Sequence, residues 1–312
     1  MSHGHSHSHA PHPGAPGDHR RILWIAFGLT TTIVVAQLVG SVLTGSLALL
    51  TDTAHAAADA AGLLVAVIAA TLSLRPSTPE RTWGFRRIEI LAALGQATLL
   101  LAVAIYAAVE GISRLYSPPD VPGPELIVFG VIGLAANVAA ILLLTRSRKD
   151  NLNLRAAFLE VVGDALGSFG VIVAGLVIWT TGFERADAIA GLAIAALIAP
   201  RAWVLMRDAT SILMEFTPRG LDIEAVRRHI EGVEHVVAVH DLHASTVATG
   251  LPTLSAHVVV DDECFRDGHA AEVLANVRAC VAGHFDVSIL HSTFQVEPRH
   301  LSAAEPEGVR HP

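Results

Sequence analysis

The stretch Leu47-Ala-Leu-Leu-Thr-Asp52-Thr-Ala-His55-Ala-Ala-Ala-Asp59-Ala-Ala-Gly62 decides the fold. It lies in an apolar run from Leu47 to Leu74, long enough to cross a bilayer as a helix. Within it, Asp52, His55 and Asp59 follow an i, i+3, i+7 spacing and share one helix face. Ionisable groups at bilayer depth are costly and mark functional sites. Around them stand Ala54, Ala56, Ala57, Ala58, Ala60 and Ala61, small residues that let a neighbouring helix approach closely.

A second run answers the first. Ala157-Phe-Leu-Glu160-Val-Val-Gly163-Asp164-Ala-Leu-Gly167-Ser168 again sets two carboxylates one turn apart beside glycines. Two such helices packed together supply one imidazole and three carboxylates to one point, a donor set that suits divalent zinc and tolerates other first-row metals. Buried polar residues that merely hold helices together are the competing reading. Such contacts are usually made by Ser, Thr or Asn rather than by four ionisable groups in register. Asn137, on another apolar run, fits that interhelical hydrogen-bonding role.

Outward from these runs, the chain divides by composition. It has 312 residues, 52% hydrophobic and only 16% charged, below the ~25% usual for soluble domains. Six apolar segments run roughly over Ile22–Leu43, Leu47–Leu74, Ile88–Leu115, Glu125–Thr145, Ala156–Thr181 and Ala186–Met206. Basic residues cluster at Arg20 and Arg21, at Arg75, Arg81, Arg86 and Arg87, and at Arg146, Arg148, Lys149 and Arg155. The intervening loops hold almost none. That alternation predicts six spans with both termini in the cytoplasm.

From near Ser211 the sequence changes character. Leu221–Glu231 and Asp267–His284 have helical periodicity; Val233–Leu242, Thr253–Val260 and Val287–Val296 read as strands. The order α-β-β-α-β predicts a small open-faced α+β sandwich. The expected organisation is a His-rich disordered cytoplasmic tail over 1–20, a six-helix transmembrane domain over 21–210, an α+β cytoplasmic domain over 211–300, and a disordered tail over 301–312. The first tail alternates His with small residues from His3 to His9, a composition suited to weak metal capture rather than to a core. Its polarity gives no sign of a cleavable signal peptide.

Net charge is −8 with no basic stripe, which argues against a nucleic-acid partner. Cys264 and Cys280 stand far apart with no CxxC and read as free thiols. No HExxH occurs and no nucleophile sits beside a spanning His, so an intramembrane metallohydrolase is disfavoured and an enzyme is not expected. A metal sensor that binds without moving ions stays open as the alternative to a transporter.

Several motifs in order carry a family resemblance: Gly45 through Asp59, Trp83-Gly-Phe-Arg-Arg-Ile-Glu89, Asn137, Ala186-Asp-Ala-Ile-Ala-Gly191, Val239-His-Asp-Leu-His243 and Leu254-Ser-Ala-His257. Over roughly residues 20–298 the chain resembles the cation diffusion facilitator family, in its zinc-transporter branch. The resemblance implies a homodimer in the cell membrane, embedded in lipid. Each subunit would exchange cytoplasmic Zn²⁺, with Cd²⁺, Co²⁺ and Mn²⁺ as further candidates, for protons. It assigns the transport site to His55, Asp59, Glu160 and Asp164. It assigns a regulatory zinc site in the metallochaperone-like cytoplasmic domain to His240, His257, His269 and His291. His229, His235 and His284 read as ordinary surface or core histidines.

Two positions depart from the family pattern. Glu160 stands where the zinc branch usually has His, an anionic and harder donor in place of a neutral one, which leaves metal selectivity open. Thr293 stands where some relatives carry a bridging carboxylate; Glu297 and Asp286 are the candidate replacements. The Glu160 exchange also bears on charge. Three carboxylates without a metal would leave three uncompensated negative charges at bilayer depth, a strongly unfavourable state. The expectation is that the metal-free site holds one or two protons, on His55 or Glu160, which incoming metal must displace. Exchange of one Zn²⁺ for one proton would work against about 2.3 kcal/mol per 100 mV, whereas two protons make it electroneutral.

Overall fold

The computed structural model describes residues 16–72, 75–145, 152–285 and 287–302. Residues 1–15 of the expected tail, residues 73–74, the basic segment 146–151, Asp286 and the stretch 303–312 lie outside the described residues, whereas residues 16–20, also expected in the tail, open the first helix. Six long helices come first: α1 Pro16–Thr44, α2 Leu47–Leu72, α3 Ile88–Tyr116, α4 Gly123–Thr145, α5 Leu152–Thr181 and α6 Arg185–Leu213. There follow α7 Ile223–Glu231, β1 Val236–Ala248, β2 Leu251–Val260, α8 Cys264–Asp267, α9 Ala270–Gly283, β3 His291–Pro298 and α10 Arg299–Ser302. Chain contacts separate two compact units, one holding the chain up to Thr71 with Gly95–Val204, the other Leu72–Leu94 with Leu205 onward.

Among the described residues, Ile88–Tyr116, Gly123–Leu142, Val161–Thr181 and Arg185–Leu213 are long and apolar enough to cross a membrane. Helix α1 contributes a shorter apolar stretch, Thr31–Thr44. Helix α1 begins at Pro16, earlier than its apolar run alone indicates. The turn into α2 is the expected tight one. Gly45 sits at φ +66, a backbone state that glycine adopts without a Cβ clash, and its N–H donates to Ser41 O at 2.9 Å to close α1.

Helices α4 and α5 meet at their glycines. A Cβ on Gly123 would lie 2.8 Å from Gly175 O, and one on Gly175 would lie 2.9 Å from Gly123 O. Hydrogen in place of a side chain therefore lets the two backbones touch, the small-residue packing on which helices rely within lipid. The buried core of the first unit includes Leu49, Leu126, Val171, Ile178 and Ile198.

The start of α2 is capped by Ser46, whose hydroxyl oxygen accepts the Leu49 N–H at 3.0 Å, and by a second side chain from elsewhere in the bundle. Asp187, two residues into α6 and 1% exposed, is that second side chain. Its Oδ2 accepts the Leu47 N–H at 2.7 Å, and its Oδ1 accepts the Ala48 N–H at 3.2 Å and the Ser46 hydroxyl. Negative charge at a helix N-terminus satisfies orphan donors and the macrodipole together. Arg114 from α3 lies 3.8 Å from the same carboxylate and donates to Gly45 O at 2.7 Å.

The C-terminal domain carries a three-stranded sheet in the order β1-β2-β3, with β1–β2 antiparallel and β2–β3 parallel. The α-β-β-α-β expectation matches, with the short helices α8 and α10 in addition and β1 extending past Leu242 to Ala248. Helix α7 is N-capped by Asp222, whose carboxylate accepts Glu224 N–H at 3.0 Å and Ala225 N–H at 3.1 Å. Val226 and Ile230 of α7, Val273, Val277 and Val281 of α9, and Leu254, Ala256, Val258 and Val260 of β2 form one core. The alternate residues of β2 and β3 lie on the opposite sheet face. Leu301 and Ser302, expected in the tail, belong to α10, and Ser302 is buried.

Segment Arg75–Leu94 belongs with this second unit. Arg87 pairs with Glu215 at 2.8 Å, Glu89 accepts Thr249 N–H at 2.7 Å, and Trp83 meets His291 edge-on at 4.9 Å. Asp208, considered as a partner for this basic segment, is instead paired with Arg219.

Candidate metal centres

Helices α2 and α5 bring the first expected group together. His55 Nε2 lies 3.0 Å from Asp164 Oδ1 and 3.6 Å from Asp59 Oδ2. One donor atom from each of His55, Asp59 and Asp164 falls within 4.8 Å of the others. The His55 side chain is 9% exposed, so little water competes for these donors. Its Nδ1 is buried with no hydrogen-bond partner among the described residues. Glu160 occupies α5 one turn before Asp164; its side chain lies outside the described residues. An imidazole and two carboxylates so close suit a dehydrated divalent cation, which balances their charge where lipid cannot.

Asp52 does not join that cluster. Its Oδ2 accepts Gln37 Nε2 of α1 at 3.0 Å and the Ser168 hydroxyl of α5 at 3.1 Å. Asn137 of α4 extends the network to Ser168 at 3.4 Å, the interhelical bond expected of it. Asp52 is therefore bound into a polar cluster one turn from His55. Gln96 of α3 donates Nε2–H to Asp59 Oδ1 at 3.2 Å. Gln37 and Gln96 escaped the sequence reading, and Ser168 and Asp187 stand in it without their roles. A glutamine inside an apolar run was the available signal, since an unpaired amide there is costly.

The sheet face opposite α7 and α9 carries the second group, with Ser302 of α10 3.4 Å from His240 Nε2. His240 of β1 and His257 of β2 are directly paired in register, with ring centroids 4.9 Å apart. Glu297 of β3, 2% exposed, joins them: its Oε1 is 2.7 Å from His240 Nε2 and its Oε2 is 3.6 Å from His257 Nδ1. Asp241 Oδ2 meets His240 Nδ1 at 3.2 Å. Asp241 sits at φ 48 where the register shifts between His240 and His243. This bulge puts both histidines on one face, which strict alternation would not. Glu297 thus stands where a carboxylate was sought.

The other two histidines assigned by resemblance have different neighbours. His291 pairs in register with Thr253, four residues from His257 and so about 13 Å along the strand, and rests against Trp83. His269 lies 2.9 Å from Asp267 and stacks beside His235 at 6.2 Å. The Asp267 hydrogen bond raises the pKa of His269 above its ordinary 6.5, and His269 in turn lowers that of Asp267. Cys264 and Cys280 are free and buried, and burial raises both thiol pKa values.

Comparison with known families agrees with this architecture. Residues 23–214 match the cation efflux transmembrane domain, and residues 218–299 match the cytoplasmic domain of cation efflux proteins. The chain belongs to the cation efflux, or cation diffusion facilitator, family. It is a membrane protein of a transporter family, not an enzyme. The metal cation efflux system protein CzcD of Cupriavidus metallidurans is 36% identical over 96% of this chain and 92% of its own length. The cadmium, cobalt and zinc/H(+)-K(+) antiporter of Bacillus subtilis is 37% identical over 83% of this chain and 82% of its own. The zinc transporter ZitB of Escherichia coli is 37% identical over 95% and 93%, respectively.

Proposed function

We propose that this cation efflux protein exports divalent metal from the cytoplasm in exchange for protons, with Zn²⁺ the leading substrate and Cd²⁺, Co²⁺ and Mn²⁺ also carried. The transport site is His55, Asp59, Glu160 and Asp164. The observation that carries this reading is the gathering of His55, Asp59 and Asp164 between two helices of an apolar bundle. Net negative charge there is tolerable only with a cation or protons bound, so each must displace the other. The names of two relatives, a cadmium, cobalt and zinc/H(+)-K(+) antiporter and a zinc transporter, support both the ion class and the exchange.

In this reading the protein is a homodimer in the cell membrane with both termini in the cytoplasm, an orientation supported by the placement of Arg and Lys. The C-terminal domain holds a regulatory zinc ion at His240 and His257, with Glu297 as the carboxylate donor. His269 and His291, which the resemblance assigned to that site, lie apart from it and are not part of the proposed centre. The organisation is a His-rich segment ahead of α1, a transport domain up to about residue 210, a regulatory domain from 211 through α10 at Ser302, and a short C-terminal segment after it.

The test is metal flux into reconstituted vesicles under an imposed proton gradient, comparing zinc, cadmium, cobalt and manganese in the wild type and in Asp59→Ala. Gradient-driven zinc flux that disappears in the variant is the expected result. Binding without flux for every metal would instead make the protein a sensor and overturn the proposal.

A further inference from the structure

Asp59 has two oxygens with different surroundings. Oδ2 faces His55 Nε2 at 3.6 Å, inside the donor cluster. Oδ1 accepts a hydrogen bond from Gln96 Nε2 at 3.2 Å, on the side of α3. The amide reaches it through a notch. Gly62 lies one turn beyond Asp59 on α2, and a Cβ there would stand 2.5 Å from Gln96 Oε1 and 2.9 Å from its Cδ and Nε2. Glycine is a poorer helix former than alanine, so its presence in a helix interior calls for a packing reason. The Gln96 amide fills the space that Gly62 leaves open.

We propose that Gln96 is the positioning residue that makes Asp59 a one-oxygen ligand and thereby tunes the site towards small tetrahedral ions. This rests on the transport site proposed above. Hydrogen bonds from outside the ligand set fix the orientation of the ligands themselves. With Oδ1 engaged by Gln96, a single oxygen points at the ion, as four-coordinate zinc requires. Released from Gln96, the carboxylate can turn and offer both oxygens. Larger ions with higher coordination numbers accept that two-oxygen mode more readily, and cadmium is larger than zinc.

The experiment measures zinc and cadmium transport in proteoliposomes for wild type, Gln96→Leu, Gly62→Ala and Asp59→Ala. Gln96→Leu removes the donor. Gly62→Ala keeps it but displaces the amide, and the atoms it meets are the far end of a flexible side chain, so the helix itself is undisturbed. Both are expected to raise the zinc KM by about 10- to 100-fold, the usual effect of losing such a partner. Cadmium should be affected less, so the zinc-to-cadmium preference falls in both variants while maximal rates change little. Unchanged zinc KM and ion preference in Gly62→Ala and Gln96→Leu would overturn the proposal. So would a fall in maximal rate alone, which would mark a packing role. If Gln96→Leu does not fold, Gly62→Ala decides by itself. Retention of full zinc flux in Asp59→Ala would instead refute the transport site, a result distinguishable from either outcome for Gln96.

Discussion

His55 Nε2 and Asp164 Oδ1 lie 3.0 Å apart although 109 positions separate them in the chain (164 − 55). One sits on α2 and the other on α5, and neither helix alone holds a complete set of metal ligands. The contact is therefore where helix packing becomes chemistry. A divalent ion would lie between the two groups and replace their direct attraction with two coordinate bonds.

In the proposed transport site both ligate one ion, so their losses should overlap. His55→Ala and Asp164→Asn are expected to weaken zinc binding separately, and the double variant by less than the sum. A double-mutant cycle on zinc affinity, by calorimetry on purified protein, should return a coupling of about 0.5–3 kcal/mol. Strict additivity would show that the two residues serve different events.

The cap on α2 is a second point of leverage. Asp187→Ala strips acceptors from the Leu47 and Ala48 N–H groups and the Ser46 hydroxyl in a fully buried position. The expected loss is about 1–3 kcal/mol, the usual cost of stranding a buried donor. Thermal unfolding in detergent checks it. Asp187→Asn, which keeps one carbonyl acceptor, should fall between the wild type and Asp187→Ala.

The pair of His269 and Asp267 gives the C-terminal domain a pH signature. His269 has a raised pKa, so its contribution is complete below its unfolded value of 6.5 and is lost as pH rises through the higher folded value. Asp267 has a lowered pKa, so its contribution exists above 3.8 and is lost as pH falls through the depressed folded value. The pair is therefore fully formed between those limits. In Asp267→Asn the His269 imidazole should titrate at lower pH, as read from its proton NMR shift. An unchanged titration would show that the hydrogen bond is not formed in solution.

Much of the fold was legible because lipid imposes a simple rule. Apolar runs near 20 residues become helices, and Gly45 leaves room for only one kind of turn between α1 and α2. The helical spacing of His55 with Asp59, and of Glu160 with Asp164, was equally local and needed only 3.6 residues per turn. The alternating run Thr253–Val260 gave β2 in the same way, whereas the third strand, expected from Val287, begins only at His291 and runs to Pro298.

Sequence alone could not supply what depends on where elements meet. The roles of Gln37, Gln96 and Asp187 arise from contacts across helices, and no local period encodes which helix packs on which. The strand register likewise selected Glu297 rather than position 293 as the neighbour of His240 and His257, and it set His291 about 13 Å away along β3. The bulge at Asp241 put His240 and His243 on one face, against the alternation that sequence predicts. The sequence by itself determined which groups are available and on which helix face each lies, because backbone periodicity is local. Tertiary structure decided which of them come within reach of one another and which hold another in position, because hydrogen bonds and coordination act over about 3 Å and only packing brings distant residues that close.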